Sequence, residues 1–153
     1  MDLGDLISPD AVIPALKAKS KKQALQELAI KAGQVTGIDQ REIFEKLLQR
    51  ERLGSTGVGR GIAIPHGKLA CLKGIRCVFA RMEEPIDFEA LDDEPVDLVF
   101  LLLAPEHAGA DHLKALARIS RLLRDPRSIE KLRSSRDRHA LFAALTETAA
   151  HAA

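Results

Sequence analysis

Residues 96–104, VDLVFLLLA, are apolar at every position except Asp97. A strand with one wet face alternates apolar and polar side chains, whereas a strand covered on both faces does not need to. The run therefore reads as a central strand of a sheet with helices on both sides. Other strand candidates are shorter or more mixed. Residues 11–16, AVIPAL, read as a short strand that Pro14 confines to an edge, because proline has no N–H to give to a ladder. Residues 62–64, IAI, form a brief apolar run, and residues 74–82, GIRCVFARM, alternate in part.

Helical patterns lie between these strands. Ser20 reads as an N-cap for a helix over 21–35, with Ala24, Leu25, Leu28 and Ala29 on one face. Gly37 reads as its stop and Asp39 as the cap of a second helix over 40–52, with Ile43, Phe44, Leu47 and Leu48 turned inward. A third helix is expected over about 109–124, then two shorter helical pieces, with residues 148–153 frayed. Interleaved helices and strands predict an α/β fold with a mixed sheet flanked by helices. A chain of 153 residues without a repeat or a Gly/Ser- or Pro-rich linker is expected to form one domain over 1–153.

Charge is nearly balanced, with 23 Lys and Arg against 22 Asp and Glu, so no overall field points to nucleic acid or an acidic membrane. Residues 113–139 do carry nine basic residues against three acids, but no stacking aromatics accompany them, and a solvated face is the plainer reading. The first ten residues lack a basic, apolar leader pattern, and no stretch is apolar enough to span a bilayer. Cys71 and Cys77 are separated by five residues and match no zinc spacing. A reduced, cytoplasmic protein without membrane insertion is expected.

The stretch GIAIPHGK, 61–68, carries the chemistry. Pro65 and Gly67 are expected to end the short strand and to present His66 at its tip. The preceding segment, 54–61, holds four glycines in eight residues, which invites a nucleotide reading. The phosphate-binding pattern G-x-x-x-x-G-K-[ST] fails twice: five residues separate Gly61 from Gly67, and Leu69 follows Lys68. The G-x-G-x-x-G pattern fails as well, since Ile62 and Ile64 stand where its last glycine is required. There is no H-E-x-x-H, and no cysteine lies close to His107 and His112, so no metal or other cofactor is expected.

What remains is a histidine acting as a nucleophile. Imidazole has an unperturbed pKa of about 6.5, and its neutral form attacks through one nitrogen while the other is held by a hydrogen bond. If the electrophile is phosphorus, the product is strongly anionic and needs donors around it. Candidates are the amides of Gly57 and Gly59, the hydroxyls of Ser55 and Thr56, and the guanidinium groups of Arg50 and Arg52. His112 begins an apolar seam with Leu116, Ile119 and Leu123 at the start of the third helix, where partial positive charge favours an anion. Each feature also has a plainer reading: an arginine offsetting a helix dipole, a glycine-rich turn, a partly buried, hydrogen-bonded histidine.

The segments 6–29, 49–68 (QRERLGSTGVGRGIAIPHGK), 95–105 and 112–123 together resemble the enzyme IIA domains of the bacterial phosphoenolpyruvate-dependent phosphotransferase system, mannitol/fructose class. The similarity is greatest to the free-standing nitrogen-regulatory branch. It implies an α/β fold and a transferase that forms a phosphohistidine on Nε2 of His66. Arg50 would contact the phosphoryl group and His112 would be the second active-site histidine. It further implies an HPr-like phosphocarrier of the nitrogen branch as donor, and regulatory protein targets. Arg60 departs from the family pattern, which has a small neutral polar residue there. No sugar-specific segment follows residue 153, which favours a regulator over a sugar-uptake component passing phosphate to a separate IIB chain. An interaction module without phosphate chemistry is the reading from another class.

Overall fold

The computed structural model describes residues 2–151. Two short 3-10 turns, Leu3–Asp5 and Pro9–Ala11, lead into β1 (Val12–Leu16), and α1 (Lys21–Thr36) and α2 (Gln40–Leu53) follow. Five strands come next: β2 (Gly57–Gly59), β3 (Ile62–Ala63), β4 (His66–Leu69), β5 (Arg76–Ile86) and β6 (Val96–Pro105). The helices α3 (Ala110–Leu122), α4 (Pro126–Ser134) and α5 (Arg138–His151) complete the described chain. α5 is as long as α2 rather than a short piece, and it runs into the segment expected to fray; residues 152 and 153 lie outside the described residues.

Capping explains where the first two helices begin and end. Ser20 accepts from the backbone N–H of Gln23 and Asp39 from that of Arg41, each satisfying a donor the helix leaves free. Gly37 stops α1 in the left-handed conformation, at φ 78°. The inward faces are those the spacing predicts: Ala24, Leu25, Leu28, Ala29, Ile43 and Leu47 are fully covered, with Phe44 and Leu48 packed partly against the same core.

The sheet is mixed. β6 pairs antiparallel with β5 along one side. Along its other side β3 and β4 follow one another, both parallel to it. β1 lies at one edge, parallel to β5, where Pro14 does no damage, and β2 lies at the other edge, antiparallel to β3. α1 and α2 pack together against β5 and β4; α3, α4 and α5 pack together against β6 and β1. β6 is buried at every position but one, as its composition requires. The exception, Asp97, meets Arg133 of α4 in a two-pronged ion pair, Nε to Oδ2 at 2.7 Å and Nη2 to Oδ1 at 2.9 Å. Phe79 and Phe100 face each other across β5 and β6 with ring centroids 6.1 Å apart.

Two expectations about the glycine-rich region change. Residues 57–63 fold back as the β2–β3 hairpin, whose tip residues Arg60 and Gly61 both have positive φ, 59° and 80°. That is the geometry of a tight turn matched to the twist of two strands. The strand after it does not stop for good at Pro65. It breaks at Ile64 and Pro65 and resumes at His66, because Pro65 still offers a carbonyl that accepts from Leu102 N–H at 2.9 Å. Gly67 lies inside β4 without positive φ, so it makes no turn.

Candidate functional site

His66 is the first residue of β4, paired with Leu102 of β6, and its side chain is partly exposed. Both ring nitrogens have partners. Nδ1 lies 3.0 Å from the carbonyl of Ile64. A carbonyl can only accept, so Nδ1 carries the proton and Nε2 keeps its lone pair. That lone pair accepts from Nε of Arg50 at 3.1 Å. Arg50 reaches it from the last turn of α2, which packs over β4, and is steadied by Nη1 donating to the Gly54 carbonyl at 2.8 Å.

His112 enters from the first turn of α3, its ring centroid 5.7 Å from that of His66 with the planes 62° apart. It is buried, and its Nδ1 has no hydrogen-bond partner among the described residues. Burial, and then the proximity of His66 and Lys68, hold its pKa below the ordinary histidine value. His112 is therefore an uncharged imidazole at neutral pH. Three elements far apart in sequence, α2, β4 and α3, thus bring Arg50, His66 and His112 into one cluster. Leu53, three residues beyond Arg50, and Leu113, next to His112 in the chain, are exposed large apolar side chains.

Both hydroxyls and several amides of the 54–61 segment are committed within the protein. Ser55 Oγ donates to the Phe88 carbonyl at 2.7 Å and accepts from Gly57 N–H at 3.0 Å. Thr56 gives both its N–H and its hydroxyl to the carboxylate of Glu51. Gly57 and Gly59 form β2, and a Cβ on Gly57 would come within 2.8 Å of Ala90 Cβ, so close packing requires glycine there. Arg60 does not join His66. Its N–H is held by Asp92, its carbonyl accepts from Arg133, and it lines a cavity of about 490 Å³ with Arg124, Ile129 and Arg133. In the basic segment 113–139, Arg118 is paired with Asp2 and Arg133 with Asp97.

Sequence reasoning missed Glu51. Its carboxylate is buried between Thr56 and Lys21, whose Nζ lies 3.1 Å away. A signal was present: an acid in the last turn of a helix opposes the dipole, and some other interaction must hold it there.

A histidine with one nitrogen unprotonated and a guanidinium beside it is equipped to take up and hold an anionic electrophile. The comparisons with known proteins agree in class. The family described as "Phosphoenolpyruvate-dependent sugar phosphotransferase system, EIIA 2" matches residues 5–148. The chain belongs to that family, whose members are phosphotransfer components. It is 62% identical over 153 residues to a nitrogen regulatory protein of Bradyrhizobium diazoefficiens, covering 100% of both chains. Its structure matches that of nitrogen regulatory protein IIA-Ntr from Neisseria meningitidis with a TM-score of 0.89 and 33% identity, over 94% of this chain and 99% of that one. The mannitol IIA of Escherichia coli shares the fold, with a TM-score of 0.76 at 21% identity over 90% of this chain and 97% of that one. No helix among the described residues is long and apolar enough to cross a membrane.

Proposed function

We propose that the protein accepts a phosphoryl group on Nε2 of His66 from an HPr-like carrier of the nitrogen branch, and that its phosphorylation state controls binding to regulatory partner proteins in the cytoplasm. The observation that carries this reading is the division of labour on one ring: Ile64 holds the Nδ1 proton while Nε2 presents its lone pair.

In the transfer, the Nε2 lone pair attacks phosphorus in line as the bond from phosphorus to the donor's histidine nitrogen breaks. The electron pair of that bond leaves with the donor imidazole, so no water or metal is consumed. Positive charge building on the His66 ring is spread through Nδ1–H to the Ile64 carbonyl. Arg50 shifts its Nε–H from Nε2 to a phosphoryl oxygen, and His112 offers a neutral ring edge on the other side. Arg50 and His112 are thus assigned to the phosphoryl oxygens. The segment with Ser55, Thr56, Gly57 and Gly59 is assigned to shaping the wall behind them. Exposed Leu53 and Leu113 supply apolar area for a docking protein beside the charge that changes. Phosphorylation adds roughly 1.5–2 negative charges to that surface, enough to alter partner choice.

The test is to incubate the protein with phosphoenolpyruvate and the two upstream proteins and to weigh it intact. One added phosphoryl group is expected, and none in His66→Ala. Persistence of the gain in His66→Ala would reject the site. Offering the phosphorylated protein a IIB acceptor distinguishes regulation from sugar uptake.

A further inference from the structure

We infer that Glu51 is a positioning residue for the phosphoryl-accepting histidine, acting through Thr56 and Ile64 to hold His66 in its Nδ1–H tautomer. The inference rests on the function proposed above for His66, but the ring geometry it concerns can be measured without any phosphate.

The connection is continuous. Lys21 Nζ donates to Glu51 Oε2 at 3.1 Å. Glu51 receives the Thr56 N–H, 3.2 Å from Oε1 and 3.3 Å from Oε2, and the Thr56 hydroxyl. The Thr56 carbonyl accepts from Ile64 N–H at 2.9 Å. The Ile64 carbonyl takes the Nδ1 proton of His66 at 3.0 Å. Arg50 and Glu51 are neighbours at the end of α2. One meets the Nε2 side of the ring directly; the other governs the Nδ1 side through the β2–β3 segment.

Each link matters because of where it sits. Ile64 lies in the break between β3 and β4: Ala63 before it and the Pro65 carbonyl after it are held by β6, while Ile64 itself has no partner on β6 among the described residues. Its N–H is held instead by Thr56, and Thr56 is held by a carboxylate whose side chain is only 3% exposed. A buried carboxylate with a lysine and two further donors is a rigid anchor, since each partner would be left unsatisfied by movement. Without it, the Ile64 carbonyl is held less firmly, and the Nδ1–H tautomer depends on Arg50 alone to exclude the other one. That tautomer carries a proton on Nε2. It cannot attack phosphorus, and its N–H opposes the N–H of Arg50. A misplacement of about 1 Å in a reacting group costs on the order of 100-fold in rate, so roughly 10- to 100-fold slower transfer is expected when the anchor is removed.

The experiment uses Thr56→Val, which exchanges the hydroxyl for a methyl group, and the double variant Lys21→Met with Glu51→Met, which removes the buried carboxylate and its part-buried lysine together so that neither is left without the other; the second partner of Lys21, Glu89, is exposed to solvent. Nitrogen-15 NMR of the unphosphorylated proteins reads the His66 tautomer, and single-turnover transfer from the phosphorylated carrier reads the rate. Wild type should show one protonated Nδ1 and one bare Nε2. The double variant should fold, show mixed or exchanged nitrogen signals, and transfer about 10- to 100-fold more slowly, with Thr56→Val between it and wild type. A folded double variant that keeps the wild-type tautomer and rate overturns the inference, as does a wild-type ring protonated on Nε2. If the double variant does not fold, the same two readouts on Thr56→Val decide. If wild type accepts no phosphate while the tautomer still shifts in the variants, the proposed function falls and the positioning link stands.

Discussion

Replacing Arg50 with alanine tests the charge that the proposed function assigns to the transferred group. In the resting structure its Nε–H lies 3.1 Å from Nε2 of His66 and its Nη1 2.8 Å from the Gly54 carbonyl. With a phosphoryl group on Nε2 as proposed, the charges would be separated by roughly 4 Å, the reference distance for a close ion pair. At an effective dielectric constant of roughly 20, that is about 4 kcal/mol per negative charge. The side chain is partly exposed, and solvent screening reduces this to about 2 kcal/mol. The resting bond to Nε2, worth ~1 kcal/mol, has to be released before attack and works against the gain. The net loss is then about 1–2 kcal/mol, or roughly 5- to 30-fold in transfer rate. Losing the bond to Gly54 should lower the melting temperature by only about 2–4 °C. Rapid-quench transfer from the labelled carrier, with a melting curve on the same sample, measures both. Arg50→Lys should fall between wild type and Arg50→Ala, because an ammonium keeps the charge but not the planar fork. A folded Arg50→Ala protein transferring within about twofold of wild type would refute this reasoning.

Three further outcomes follow from other parts of the molecule. Because the folded-state pKa of His112 is lowered by burial, His66 and Lys68, the unfolded chain binds its proton more readily. The associated stability is complete above about pH 6.5 and is lost as the pH falls through the lowered value, so His112→Leu should flatten the decline of the urea midpoint on acidification, and an unchanged slope would count against it. Gly61→Ala forces a Cβ to within 2.5 Å of Arg133 Nη2 and 2.7 Å of Asp97 Oδ1 at φ 80°, and should destabilise by about 1–3 kcal/mol in denaturant titration; a neutral effect would mean that the hairpin tip yields easily. Iodoacetamide should label exposed Cys71 alone in the native protein and both cysteines after denaturation, since burial, only partly opposed by nearby Arg76, pushes the Cys77 thiol far up. Native labelling of Cys77 would contradict its placement in the core.

Local patterns made much of the fold legible. The unbroken apolar run of β6, the capped helices α1 and α2, and the proline-marked edge strand β1 all depend on residues close together in the chain. The strands missed or shortened are those whose pattern is not local. β2 is glycine-rich, β4 follows a proline, and the far end of β5 is charged, so none has the apolar alternation of a strand. They are strands because a neighbour supplies hydrogen-bond partners.

The same division holds at the site. From the chain by itself came a histidine set between proline and glycine and two arginines, Arg50 and Arg52, at the end of the preceding helix, while the choice of Arg50 and of His112 came from the family resemblance. Only the tertiary structure decided which nitrogen of His66 is bare, that Ser55 and Thr56 spend their donors inward, that Arg60 turns toward α4, and that Glu51 lies behind the histidine. Those outcomes depend on which donors and acceptors meet across α2, the β2–β3 hairpin, β4 and α3. Hydrogen bonds are satisfied by neighbours in space, and a linear order of residues does not specify those neighbours until the sheet has formed.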